Sequence, residues 1–162
     1  MLSKKMEEAL NKQVNAELFS SYLYLAMAAD FEAKNLPGIA HWLKAQAKEE
    51  NGHAMKFYEY INDHRGRVTL AAIAAPPAEW ATPLAAFEAV LAHEQKVTGL
   101  ISGLVALAAE EKDNATGVLL QWFVTEQVEE EENADAIVQQ LKMIGDKAHA
   151  LTMLDRALAQ RG

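Results

Sequence analysis

The chain has 162 residues and a mass of 17.8 kDa, enough for one domain with a real core. Hydrophobic residues make up 51% and glycine and proline are few, which fits a helical protein and excludes a disordered one. The absence of cysteine removes disulfides, thiolate zinc sites, iron–sulfur centres and thiol catalysis together, and a formal charge of -8 argues against nucleic-acid partners and for cations. Met1-Leu2-Ser3-Lys4-Lys5 runs straight into an amphipathic pattern without a signal-peptide core. No apolar run approaches membrane-spanning length, so a soluble, cytoplasmic protein with no membrane partner is expected.

The first helical pattern covers about 4–34, with Ser3 as its N-cap. Its apolar seam reads Leu10, Val14, Glu17, Ser21, Tyr24, Ala28, Phe31, a helical spacing broken by polar groups near the centre. Asn35-Leu36-Pro37-Gly38 is a turn, in which Asn and Gly suit left-handed backbone and Pro opens the next helix. That helix covers about 38–65, with Gly66 as its expected C-cap. Its stripe, Ile39, Leu43, Ala47, Glu50, then His53 or Ala54, Phe57 and Ile61, places a carboxylate and an imidazole where hydrophobes belong. Residues i and i+3 share a helix face, so Glu50 and His53 point the same way.

Residues 66–81 break the pattern, and Pro76-Pro77 exclude helix there. A third helix covers about 82–111 behind Thr82-Pro83, with the seam Leu84, Phe87, Leu91, Glu94, Thr98, Ile101, Val105, Ala108. Asp113-Asn114-Ala115-Thr116-Gly117 forms a short turn. A fourth helix follows over about 116–144, with Leu120, Phe123, Gln127, Glu130, Ala134, Ile137, Leu141 and Ile144 on one side and Gly145 as its stop. A short fifth pattern covers about 147–160 and suits packing at the bundle end or against a neighbour.

Four such helices of about 42 Å each make an all-α bundle. The short first and third turns make antiparallel pairs. The long middle connection can span about 50 Å when extended, more than the bundle length, which favours an up-down-down-up crossover over a simple meander.

Each long seam is interrupted once at similar depth, by Glu17, by Glu50 with His53, by Glu94, and by Gln127 with Glu130. Glu17 to Glu50 and Glu94 to Gln127 are both 33 positions apart, so the halves read as two copies of one helix pair. Each donates a single carboxylate and an i, i+3 pair, the pattern of dinuclear carboxylate sites in helix bundles. Four carboxylates balance two divalent cations, and a mostly oxygen site with one imidazole suits iron or manganese and, less selectively, zinc.

Over essentially its whole length the chain resembles the ferritins, specifically the haem-free bacterial type, through Glu17, Glu50-x-x-His53, Glu94 and Gln127-x-x-Glu130, the long crossover and the fifth helix. The resemblance implies one ferritin-like domain over 1–162, and an iron-storage protein that oxidises Fe(II) with oxygen or peroxide and deposits it as mineral inside a 24-subunit cage. It further implies a first iron on Glu17, Glu50 and His53 and a second on Glu50, Glu94 and Glu130, with Glu50 bridging. A third, weaker iron would lie at Glu49, Glu126, Glu129 and Glu130, and Tyr24 beside the pair, although core packing alone also accounts for Tyr24. Glu131 and Glu132 read as a solvated acidic face. Gln127, an amide, is a poor ligand, so the second iron is expected to be held less firmly. Gly52 precedes His53 where bacterioferritins carry their haem-ligating methionine, so no haem is expected. His41, His64, His93 and His149 are read as surface or packing residues, and Trp42, Trp80 and Trp122 as core or interface. Two other readings stand beside this one: a di-iron or di-manganese oxidase or oxygenase acting on a small substrate, and a non-enzymatic helical interaction protein.

Overall fold

A computed structural model describes residues 1–162. It contains five helices and no strand: α1 (Lys4–Ala33), α2 (Pro37–Asp63), α3 (Pro83–Glu110), α4 (Asn114–Ile144) and α5 (Ala148–Leu158). The helix starts follow from local chemistry. Ser3 accepts the Met6 N–H, Thr82 the Ala85 N–H with Pro83 behind it, and Asp113 the Thr116 N–H. Each cap supplies an acceptor to an amide with no carbonyl partner inside its helix. Asp113 therefore starts α4 at Asn114, earlier than the expected 116.

Helix ends show how the chain uses positive φ. Asn35, Arg65 and Lys112 lie at φ 59°, 60° and 55°. In each case the next residue's N–H reaches back five positions, Leu36 to Phe31 at 3.0 Å, Gly66 to Ile61 at 2.8 Å and Asp113 to Ala108 at 2.9 Å, closing the helix in a Schellman turn. The left-handed residue ending α2 is thus Arg65, not Gly66. Gly66 serves closeness instead, because a Cβ there would lie 2.9 Å from both the Glu7 carboxylate and the Ile61 side chain. Gly38 likewise is not a turn residue. It sits in the first turn of α2, where a Cβ would meet the Asp155 carbonyl at 1.7 Å. Leu36 gives α2 no side-chain cap; Asp155 of α5 does so from a distance, its Oδ1 accepting the Ile39 N–H at 2.8 Å.

The chain between α2 and α3 is a crossover running along α1. Asn11 Nδ2 donates to the Arg67 carbonyl at 2.9 Å and Asn15 Nδ2 to that of Ala72 at 3.2 Å. At the far end Asp30 accepts the Trp80 N–H at 3.1 Å, and Lys34 donates to the Trp80 carbonyl. The loop therefore leaves near the start of α1 and arrives near its end. At the start of α1, Ser3 and Lys5 meet Glu111 and Glu110 from the end of α3. α3 thus runs against α1 and along α2, which is the expected up-down-down-up bundle.

The apolar interior falls into two clusters. One, around Tyr24, Phe31, Leu43, Phe87 and Leu141, lies toward the α1–α2 turn; the other, around Leu10, Phe57, Ile61, Ile101 and Phe123, lies toward the opposite end. Two seams differ in detail from expectation. On α1 the buried serine is Ser20, while Ser21 is half-buried and donates to the Ala47 carbonyl at 2.7 Å. On α3 the buried line is Phe87, Val90, Glu94, Val97, Ile101, Leu104 and Ala108. Leu84, Leu91, Thr98 and Val105 flank it, because α3 carries hydrophobes on more than one face and only packing selects among them.

Candidate metal centre

Between the two clusters, all four long helices turn polar side chains inward. Glu17, Glu50, His53, Glu94, Gln127 and Glu130 are each only 1–5% exposed, so the expected layer exists and is dry. Four carboxylates at this depth are costly as charges unless something balances them. Burial, with the Glu50 charge next, drives the Glu17 carboxyl well above its usual range, and burial with Glu94 does the same to Glu50. Burial also raises Glu94, against the opposing hydrogen bonds from Tyr24 and Gln127, and pushes Glu130 to about 7 with help from the Glu94 charge.

The ligand-type atoms collect into three groups whose members lie within 4.8 Å of one another: Glu17, Glu50 and His53; Glu50, Glu94 and Glu130; and His53, Glu126 and Glu130. Glu50 belongs to the first two and so lies between them. Within the first group, Glu17 Oε2, Glu50 Oε2 and His53 Nδ1 are buried and make no hydrogen bond, although Nδ1 lies 3.3 Å from Glu50 Oε2. Three convergent donors with unused lone pairs are what a cation requires, and oxygen with one imidazole fits a ferrous or similar divalent ion. The His53 ring is set edge-on against Trp122 at 5.4 Å and Phe123 at 6.0 Å between centroids, which fixes where its nitrogens point.

Around the ligand-type atoms stands a set of donors that orient them. Tyr24, fully buried, donates its hydroxyl to Glu94 Oε1, and the same burial and charge push its phenol well above the usual range. Gln127 Nε2 donates to the carbonyl and Oε2 of Glu94 and to Thr98 Oγ1, each at 3.2 Å. The amide thus turns its donor toward a carboxylate and holds Glu94 in place. Two further residues do comparable work and were not expected from the sequence. Gln13 Nε2 donates to Glu17 Oε1 at 2.9 Å, and Gln46 Nε2 to Glu130 Oε2 at 2.5 Å and Glu50 Oε1 at 3.4 Å. Their signal was in the repeat: each stands four positions before its glutamate, and Gln13 and Gln46 are themselves 33 positions apart.

The expected third position is only partly assembled. Glu126 is brought to it, its Oε1 3.6 Å from His53 Nε2. Glu49 and Glu129 are exposed and join no group; Glu49 is instead paired with Arg161. Glu131, expected in the solvated face with Glu132, is half-buried and accepts from Thr98 at 2.8 Å. His93 packs as expected, Ser20 Oγ at 2.7 Å from its Nε2 and the Tyr24 ring edge-on at 5.9 Å; burial lowers it to about 4.

The ferritin-like domain family matches residues 7–144, a span that contains every residue of the layer. The chain belongs to the ferritin family. A bacterial non-heme ferritin of Bacteroides fragilis is 44% identical over 99% of this chain and 100% of its own. One from Staphylococcus aureus is 40% identical over 99% and 97%. Among solved structures, an open pore ferritin from the hyperthermophilic archaeon Archaeoglobus fulgidus is 49% identical over the full length of both chains, with a TM-score of 0.99. A form of that archaeal ferritin engineered to be closed is 50% identical with the same score. The archaeal structures thus share with this chain the whole fold, crossover and fifth helix included.

Proposed function

We propose that this ferritin is an iron-storage ferroxidase, a single domain over 1–162 that binds two Fe(II) as substrate in the mid-bundle layer, oxidises them and passes the product to a mineral. The observation that carries this reading is the pair of ligand groups sharing Glu50, with three orphaned buried donor atoms among them. Glu17, Glu50 and His53 take the first ion, and Glu50, Glu94 and Glu130 the second. Each Fe(II) gives up one electron. Two electrons and two protons convert dioxygen to hydrogen peroxide, or hydrogen peroxide to water, and the shared Glu50 keeps the two donors close enough to deliver both to one oxidant.

Protons and cations exchange places in this layer. In the cation-free protein the raised carboxyls bind protons to limit like-charge repulsion, and an arriving Fe(II) displaces them. Tyr24 and Gln127 orient Glu94, Gln46 orients Glu50 and Glu130, and Gln13 orients Glu17, so ligand directions are set before iron arrives. The Gln127 amide adds no charge and is a poor ligand beside the second ion, which leaves that ion the more weakly held of the two. Glu130 also belongs to the group with Glu126 and His53, and so offers oxidised iron a first step outward, with Glu49 and Glu129 beyond it as the rest of a weaker third position. Assembly into a homo-oligomeric cage, of 24 subunits by the family resemblance, would supply the mineral cavity, and residence in the cytoplasm fits a chain in which no helix is long and apolar enough to cross a membrane. The ferritin names of the relatives favour storage over a small-substrate oxidase.

Fe(II) added in air at two ions per subunit tests the proposal. Glu50→Ala removes the shared ligand and is expected to abolish the fast phase of oxidation. Oxidation at the wild-type rate would overturn the assignment.

A further inference from the structure

The C-terminal residues lie along α2 and end beside the metal layer. Asp155 caps the start of α2 through Ile39. Further along, His41 Nε2 lies 2.6 Å from the Arg161 carbonyl oxygen. The Arg161 guanidinium sits 4.5 Å from the centroid of the Trp42 ring, donates from Nη1 to the Trp42 carbonyl at 3.2 Å, and pairs through Nη2 with Glu49. Its side chain is 21% exposed, so it is a seated group rather than a waving one. Stacking and a fork of directed donors are the features that let arginine hold a carboxylate in one place.

Glu49 immediately precedes the shared ligand Glu50, and its charge is felt at Glu130. The guanidinium balances the Glu49 charge and occupies its Oε2. A cation arriving at the His53, Glu126 and Glu130 group competes with Arg161 for the Glu49 carboxylate.

We propose that Arg161 is a positioning residue that withholds Glu49 from the outer cation position, keeping that position weak so that iron leaving the dinuclear layer is not trapped at its rim. The fifth helix, docked by Asp155 and Gly38, is then the arm that carries this competitor to the site. This inference rests on the layer being a cation site, and its test separates the two.

The test is calorimetric titration of the intact assembled protein with Zn(II) alone at neutral pH. Wild type is expected to show two tight events per subunit and a weaker one. Arg161→Ala tightens the weaker event about 5-fold, the scale of a partly exposed ion pair, and leaves the two tight events unchanged. Arg161→Gln, which keeps the stem over Trp42 and loses the charge, gives the same result where the alanine variant disturbs α5. In a Glu49→Gln background neither substitution moves the weaker event. An unchanged or weakened outer event in both Arg161 variants overturns the proposal. So does a tightening that persists in the Glu49→Gln background, since it would reflect plain charge repulsion. Loss of the two tight events in wild type strikes the dinuclear reading itself and removes both.

Discussion

The hydroxyl of Tyr24 on α1 is donated to the carboxylate of Glu94 on α3, across the bundle and wholly out of water. The bond joins the two halves of the repeat and fixes a carboxylate that the proposed function gives to the second ion. Tyr24→Phe keeps the ring packing and removes the donor. An uncharged hydrogen bond contributes about 0.5–1.5 kcal/mol, so the cation-free protein, in which Glu94 is among the raised carboxyls, should lose about that much stability by chemical denaturation, and Fe(II) oxidation should slow. Wild-type stability together with a wild-type rate would show the contact to be idle.

Gln46 holds two carboxylates of the layer at once, Glu130 and Glu50. Gln46→Leu preserves volume and removes the donor. Groups that orient metal ligands typically matter by about 10–100-fold in affinity, so calorimetry should find divalent-ion affinity at least about 10-fold weaker, with the second ion more affected because Glu130 has the shorter bond. Equal affinity in the variant would mean that Glu50 and Glu130 need no orientation from Gln46.

The layer also sets a pH dependence. Glu130 has a folded-state value raised to about 7 from its ordinary 4.5, and Glu17, Glu50 and Glu94 are raised as well. A raised carboxyl favours the folded state fully below its ordinary value, and that contribution is lost as pH climbs through the folded value. In chelator, the melting temperature should therefore fall as pH rises from about 4.5 through 7, and added Zn(II) should restore it most at the upper end. A melting temperature that climbs over this window in chelator would contradict the assignment.

At the bundle end, Asp155 supplies the cap that α2 lacks in its own sequence. Asp155→Ala should cost about 1 kcal/mol, the usual worth of an N-cap. Gly38→Ala should cost more, since its Cβ would meet the Asp155 carbonyl at 1.7 Å and α5 would have to lift. Denaturation curves for the two variants decide the order.

The residues that interrupt an apolar seam were the legible ones. Glu17, Glu50, His53, Glu94, Gln127 and Glu130 stand at helical spacing among hydrophobes and at similar depth in each helix, which puts them in one layer. The duplicated 33-residue interval marks the two halves as copies of one helix pair. The crossover was legible too, from the length of a proline-bearing connection. Gln13 and Gln46 escaped because a glutamine in a seam is also what a helix tolerates at its edge, and only their partners reveal the role. Gly38 and Gly66 were misread because glycine answers two needs, positive φ and close approach, and the second depends on a neighbour distant in sequence. Arg161 reaches Glu49 across 112 positions, a pairing that no local pattern encodes, and it changes how the third position is understood.

The division of the apolar interior into two clusters gives the bundle an unusual mechanical character. Each end is held by its own hydrophobic burial, while the plane between them is held by ligands, protons and directed donors. On the proposed function, ions enter and leave at that plane and not at either apolar end, so loading and unloading need not loosen the subunit as a whole.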